Sequence, residues 1–226
     1  LNESVMKSSS GPKQQIFSHL AEIAAALAHP HRIEILELIA QGERSVEDLA
    51  ERIGLSLSNT SRHLQVLRRA RLAAPRREGK NVFYSLVSET EVVTLLASLG
   101  RVGERNIAEI DQVMQAYFRA RDSLEPVSRL TLLERLRDGS VTLLDVRPTE
   151  EFAHGHLPGA LNIPLDQLDA MLDSLVARSP VVAYCRGPYC VLSFEAVAKL
   201  RACGIEAIRL EDGYPEWKAA GCPIEC

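Results

Sequence analysis

The chain has 226 residues, 46% of them apolar and 25% charged, with a net charge of −4. That balance belongs to an ordinary globular chain rather than a disordered or fibrous one, and the length suffices for two small domains. No apolar run approaches the roughly 20 residues of a membrane span, and the polar N-terminus carries no secretory signal, so a cytoplasmic protein without a membrane partner is expected.

Residues 1–14 predict a flexible lead: Ser8-Ser9-Ser10-Gly11-Pro12 is turn-rich, and Met6 reads as the native start. Residues 16–28 predict a helix with Ile16, Leu20, Ile23 and Leu27 on one stripe. A break at His29-Pro30 precedes a second helix to Ala40, with Ile33, Leu36 and Ile39 inward. Ser45, with Asp48 three residues on, gives a capping-box-like start to a short third helix. Val46, Leu49 and Ala50 are its core residues, and Gly54 follows its end. Ser56 caps a fourth helix running to about Arg71. Two helices joined by a short turn containing glycine form the DNA-binding supersecondary pattern.

On the fourth helix Leu57, Leu64 and Leu67 are expected inward. Ser58, Arg62, Gln65 and Arg69 form one outward stripe, and Asn59, Thr60 and His63 complete the DNA-facing set. Polar side chains near the start of such a helix read base edges in the major groove, and the arginines at its end suit phosphates. Residues 56–88 hold seven Arg and Lys against one Glu, the only strong basic patch of the chain. Residues 73–86 predict a hairpin turning at Glu78-Gly79-Lys80-Asn81, with Arg76, Arg77 and Lys80 as a basic wing. Residues 89–121 predict one long helix whose stripe runs from Val92, Leu96, Leu99 and Val102 to Ile107, Ile110, Met114 and Tyr117. Its own domain offers little to pack on, so a second subunit is expected there, with Gly100 and Gly103 permitting close approach. His29 and His31 have no thiol or carboxylate at matching spacing and read as structural.

The segments Ala-His-Pro-His-Arg-Ile-Glu-Ile-Leu (28–36), Ser-Val-Glu-Asp-Leu-Ala (45–50), Ser-Asn-Thr-Ser-Arg-His-Leu-Gln-Val-Leu (58–67) and Glu-Gly-Lys-Asn-Val-Phe-Tyr (78–84) resemble the ArsR family of bacterial repressors. The resemblance implies a homodimer that leaves double-stranded operator DNA when an inducer binds. Many members of the family bind metal through cysteines on the helix before the recognition helix. Here Ser45–Ala50 holds neither Cys nor His, and the long C-terminal helix lacks His. No metal site and no cofactor are expected, and the inducer is expected not to be a metal ion read in this half.

Residues 123–129 read as a linker between a domain at 15–122 and another at 130–226. The order afterwards is helix (130–137), strand (141–146), helix (149–153), helix (165–176), strand (181–184), helix (191–203), strand (206–210) and a short helix (215–220). Alternating strands and helices predict a parallel sheet covered on both faces. The fold class is therefore a mainly α winged helix-turn-helix with a β-hairpin wing, followed by an α/β domain. Ligands of such sheets bind beyond the carboxyl ends of strands, where Tyr-Cys-Arg-Gly-Pro-Tyr-Cys (184–190) falls.

All five cysteines (Cys185, Cys190, Cys203, Cys222, Cys226) lie in the last 42 residues. An odd, one-sided set argues against a secreted disulfide framework and for reactive thiols in a reducing compartment. Cys185 stands at a strand-to-helix corner, where free N–H groups and partial positive charge favour a thiolate, and Arg186 adds a full charge beside it. Cys190 reads either as a small half-buried residue or as a resolving thiol closing a disulfide with Cys185. Asp145 and Arg147 end the first strand and are expected to organise the loop. Trp217 is expected to pack.

With Leu-Asp-Val-Arg-Pro-Thr-Glu-Glu-Phe (144–152), Gly-His-Leu-Pro-Gly-Ala-Leu-Asn-Ile-Pro (155–164), Tyr-Cys-Arg-Gly (184–187) and Glu-Asp-Gly-Tyr-Pro-Glu-Trp (211–217), this half resembles a single rhodanese domain. The resemblance implies that Cys185 carries sulfane sulfur as a persulfide, taken from thiosulfate, a persulfide or a polysulfide. Arg186, Gly187 and Tyr189 would frame it in a nest of backbone amides. It also makes His156 part of a structural turn rather than a metal ligand. Three departures stand out: Pro188 removes one loop donor, Cys190 or Val191 holds the place that often carries a second arginine (Val191 where related phosphatases need one), and Cys190 itself sits in the loop, five residues after Cys185. The leading expectation is a repressor sensing reactive sulfur species through Cys185. The alternatives are a sulfurtransferase enzyme tethered to DNA and a peroxide-type thiol switch.

Overall fold

A computed structural model of the chain describes residues 11–119, 126–172 and 180–226. The expected flexible stretch before Gly11, the end of the long helix at 120–121, the break at Leu124-Glu125 and the helix end at Val176 lie outside the described residues. The chain divides into two compact units: Leu1–Leu36 with Arg44–Val87, and Glu37–Glu43 with Ser88–Cys226. This division does not follow the 122/130 boundary expected above, because the long helix after the wing joins the second unit.

In the first unit, α1 (Pro12–Leu27) starts with proline at a position whose N–H needs no partner. Its expected inward stripe is buried only toward its end: Leu27 is buried and Ile23 half-buried, while Ile16 and Leu20 are 59% and 55% exposed. α2 (Pro30–Ala40) buries Ile35, Leu36 and Ile39 and leaves Ile33 exposed. The Ser45 hydroxyl accepts from the Asp48 amide to cap α3 (Val46–Ile53). The Ser56 hydroxyl accepts from the Asn59 amide to cap α4 (Leu57–Arg69). The inward stripe of α4 is Thr60, Leu64 and Leu67, so Leu57 is turned out and 52% exposed. β2 (Ala73–Glu78) and β3 (Asn81–Leu86) form the hairpin, pairing Glu78 with Asn81 across a two-residue turn in which Gly79 takes φ +60°. β1 (Arg44–Ser45), too short to show any periodicity, pairs antiparallel with β3 and completes a sheet of order β1-β3-β2.

The predicted helix 89–121 is interrupted. α5 (Glu89–Asn106) stops at Ile107, whose backbone is extended, and α6 (Ala108–Val113) follows, then a π-helical stretch Met114–Arg119. The break has a local cause. Gly103 is buried, and a Cβ there would lie 2.9 Å from Cδ1 of Ile110. The missing side chain lets the next helix fold back onto α5, so this close approach is made within the chain.

The rest of the second unit is a four-stranded parallel sheet of order β5-β4-β6-β7, from β4 (Thr142–Asp145), β5 (Leu161–Asn162), β6 (Val181–Tyr184) and β7 (Ala207–Arg209). β5, only two residues long, was not visible in the sequence pattern. The linker contributes to this sheet: Val127 is buried, its amide donates to the Arg209 carbonyl and its carbonyl accepts from Glu211. α7 (Arg129–Arg137) follows, capped by the Ser128 hydroxyl. Period-two alternation sends Leu144, Val181, Ala183 and Cys185 to one face and Leu143, Val182 and Tyr184 to the other. α9 (Leu165–Met171) and α10 (Val191–Ala202) supply Leu168, Ala196, Val197 and Leu200 to the first face. α7 and α11 (Tyr214–Ala219) supply Leu132 and Trp217 to the second. α8 (Thr149–Ala153) follows β4. The central strand β6, covered on both faces, is buried throughout, as a parallel sheet favours.

Candidate functional site

β6 ends at Tyr184 and α10 begins at Val191, so Cys185–Cys190 forms the loop beyond the carboxyl end of a central strand. Both thiols are buried, with Cys185 2% exposed. The Cys185 thiol lies 3.4 Å from the Ser193 hydroxyl and 3.5 Å from the Cys190 carbonyl. Burial pushes the Cys185 thiol up. Hydrogen bonds with the Cys190 and Ser193 side chains and with backbone groups of Gly187 and Ser193 outweigh it and hold the thiol below the ordinary value. Cys190 is pushed well up by its bond to Cys185 and by burial. Cys185 is therefore the more acidic thiol of the pair and Cys190 the less acidic, the two hydrogen-bonded within the loop. Ser193, on the first turn of α10, was not singled out in the sequence; a serine three residues after the N-cap Cys190 is the available signal.

The charge of Arg186 does not act on the thiol alone, as the sequence suggested. Its Nε and Nη2 donate to both carboxylate oxygens of buried Glu151 on α8 at 2.8–3.1 Å. The cysteine loop is thereby pinned to the turn after β4. Asp145 and Arg147 are fully buried and paired, Nη2 to Oδ2 at 2.6 Å. Arg147 also donates to the Gly155 carbonyl and to Oε1 of Gln41, and its guanidinium lies 4.3 Å from the Tyr214 ring centroid. Gln41, which the sequence marked only as a helix end, is 2% exposed, and its Nε2 donates to the Arg186 carbonyl at 3.1 Å. The loop is backed by Gly213, where a Cβ would come within 2.3 Å of the Gly187 amide nitrogen. Glycine alone permits that approach, which explains its place in the 211–217 motif. A cavity of 530 Å³ opens beside the loop, lined in part by Val146, Pro148, Pro164, Leu165, Arg186 and Leu192.

Glu216, three residues beyond Gly213, accepts from the Gly213 amide at 3.0 Å. Burial pushes its carboxyl up to about 7 from 4.5, with Asp212 and Glu37 adding to the rise. Between these values the folded chain holds a proton that the unfolded chain has released. Stability is therefore expected to fall as pH rises from about 4.5 through about 7, by at most ~3 kcal/mol. Urea titrations at pH 5 and pH 8 check this, and Glu216→Gln should flatten the difference.

In the first unit Ser58, Asn59, Arg62, Gln65 and Arg69 are exposed along α4, as are Arg76, Arg77 and Lys80 of the hairpin. Thr60 leaves the predicted DNA-facing set: it is fully buried and its hydroxyl donates to the Ser56 carbonyl. His63 is half-buried, its ring centroid 4.4 Å from that of His29 and 5.9 Å from that of His31. Burial, then His29 and Arg32, lower its pKa. Among the described residues no group of three or more His, Cys, Asp or Glu is placed to hold a metal ion, and no helix is long and apolar enough to cross a membrane. His156 stacks on Phe152 at 3.7 Å and donates to its carbonyl. Trp217 is buried, with its indole N–H on the Pro223 carbonyl.

A capped helix-turn-helix with a basic hairpin, joined to a parallel sheet bearing a cysteine loop, defines a DNA-binding regulator carrying a thiol domain. Residues 29–74 match the bacterial regulatory protein family arsR, and residues 128–220 match the rhodanese-like domain. The HTH-type transcriptional regulator Rv0324 of Mycobacterium tuberculosis is 39% identical over 220 residues, covering 97% of this chain and 96% of its own. Rv0081 of the same organism, an uncharacterized HTH-type regulator, is 39% identical over 45% of this chain and 90% of its own. Among solved structures, the homodimeric winged helix-turn-helix DNA-binding domain Mb0332 of Mycobacterium bovis is 35% identical over 45% of this chain and 94% of its own, with a TM-score of 0.40. The chain belongs to the arsR family of transcriptional regulators, in a form that carries a C-terminal rhodanese-like domain.

Proposed function

We propose that this regulator is a repressor that senses reactive sulfur through Cys185. The observation that carries this reading is the buried pair of thiols, Cys185 and Cys190, in the loop between β6 and α10, with Cys185 the more acidic of the two. The Cys185 thiolate attacks the sulfane sulfur of a persulfide RS–SH. The donor S–S bond breaks, RS⁻ leaves, and Cys185 becomes a persulfide. The Cys190 thiol then attacks Sγ of Cys185 and releases the outer sulfur as hydrogen sulfide, leaving a Cys185–Cys190 disulfide. The cavity beside the loop has room for a small donor, and Arg186 lines it, with Gly187 and Tyr189 following in the same loop. Asp145 and Arg147 hold the strand end from which the loop is hung.

Ser58, Asn59, Arg62, Gln65 and Arg69 meet operator DNA, with Arg76, Arg77 and Lys80 on the adjacent backbone. His63 stands at the edge of this set. The active species is a homodimer: Ile16, Phe17 and Leu20 on α1, and Leu95, Leu99 and Val102 on α5, are large apolar side chains left exposed in the single chain. The test is intact mass analysis of Cys185 after polysulfide treatment, with gel shifts on the same sample. Conversion of Cys185, seen as an added sulfur or as the loss of two hydrogens once the disulfide has closed, with loss of DNA binding is expected. Loading with unchanged binding overturns sensing, and rapid thiosulfate–cyanide turnover lost in Cys185→Ser would then favour a sulfurtransferase.

A further inference from the structure

The geometry points to a relay: Tyr189 of the cysteine loop and its seat on α5, Gly100 and Glu104, pass the state of Cys185 to the helix that leaves the DNA-binding wing. The inference rests on the sulfur-sensing reading and adds its route. The Tyr189 hydroxyl donates to Oε1 of Glu104 at 2.6 Å. Burial and Glu104 both push the phenol up, so it remains a donor at any physiological pH. A Cβ at Gly100 would lie 2.5 Å from the Tyr189 oxygen and 3.3 Å from its ring. Gly100 therefore receives a side chain of the reactive loop, a role different from the subunit approach expected from the sequence.

Tyr189 directly precedes Cys190, and Arg186 directly follows Cys185. Each is tied to a helix of the N-terminal half: Tyr189 to α5, and the Arg186 carbonyl to Gln41 just after α2. α5 is further held along α11 by Lys218 on Glu89 at 2.6 Å. α5 starts three residues after β3 ends, and Gln41 lies three residues before β1, so both ties act on segments continuous with the winged unit. Closing the disulfide draws the two sulfurs to about 2.05 Å. The four residues between them must then re-form, and the Tyr189 hydroxyl is pulled from its seat. α5 also carries the exposed Leu99 and Val102, so a shift of this helix is felt where a second copy would pack.

The test uses the full-length chain, inorganic polysulfide and a DNA duplex selected on the protein from a random pool. Two variants break the contact from the α5 side: Glu104→Ala removes the acceptor, and Gly100→Ala, which helix propensity favours, fills the seat. Cys185 loading is followed by intact mass, as an added sulfur or as the loss of two hydrogens once the disulfide has closed, and affinity by titration on the same samples. Loading is expected to weaken wild-type binding about tenfold or more, within the usual range of coupling between sites, and to weaken binding of either variant less than about twofold. Variants that load and still respond like the wild type overturn the relay and leave sulfur sensing standing. Variants that fail to load overturn it too, because the contact then serves the chemistry itself. A wild type that loads without any change in affinity removes both the relay and the reading beneath it.

Discussion

Cys185→Ser is expected to leave the chain folded and to reduce polysulfide-dependent persulfide formation and operator release to background. The substitution keeps a small hydrogen-bonding side chain among Ser193, Gly187 and Cys190, so the loop retains its partners. It removes the thiolate, which is the attacking species; a serine hydroxyl in this setting is not ionised. Cys190→Ser separates the two steps. Cys185 should still load, but the persulfide should accumulate because no second thiol displaces its outer sulfur as hydrogen sulfide. Intact mass distinguishes the cases: no added sulfur in Cys185→Ser, one stable added sulfur in Cys190→Ser, and loss of two hydrogens in the wild type after a full cycle. Loading elsewhere in Cys185→Ser, with operator release preserved, would move the sensor to another cysteine. Cys203 and Cys226 are exposed and serve as the comparison.

Asp145→Ala is expected to destabilise the second unit by about 3–5 kcal/mol, the cost of stranding a buried partner charge. The stranded group is the Arg147 guanidinium, fully buried and left with the Gly155 carbonyl, Gln41 Oε1 and the Tyr214 ring. Trp217, the only tryptophan and itself buried in this unit, reports the transition by fluorescence in urea. Replacing both partners, Asp145→Leu with Arg147→Met, should recover most of the loss, since no charge is then left buried. A cost below about 1 kcal/mol for Asp145→Ala would mean that water reaches Arg147, and the strand end would lose its role as the rigid anchor of the loop.

The elements legible from sequence were those with local causes. Ser45 and Ser56 cap their helices because a hydroxyl needs only the amide three residues on. The hairpin turns at Gly79 because two residues suffice to define the turn. The short strands β1 and β5 were not legible, since two residues carry no period and exist only through β3 and β4. Thr60 shows the same limit: its rotation into the core depends on where Leu64 and Leu67 find their contacts, which helical spacing alone does not set.

Sequence alone was enough to establish an arsR-type DNA reader joined to a rhodanese-like domain, and to place Cys185 at the end of a buried strand. These follow from local pattern: caps, alternation, turn residues and motif spacing. Tertiary structure alone decided what surrounds the thiol. Glu151 takes up Arg186 across 35 residues of chain, Gln41 reaches Arg147 across 106, and Glu104 holds Tyr189 across 85. The interactions are short in space and long in sequence, so no periodicity records them. They arise because a parallel sheet carries all its strand ends to one edge, where side chains from distant segments meet and where the buried ones, Arg147 and Glu151 among them, must have their charges satisfied away from water.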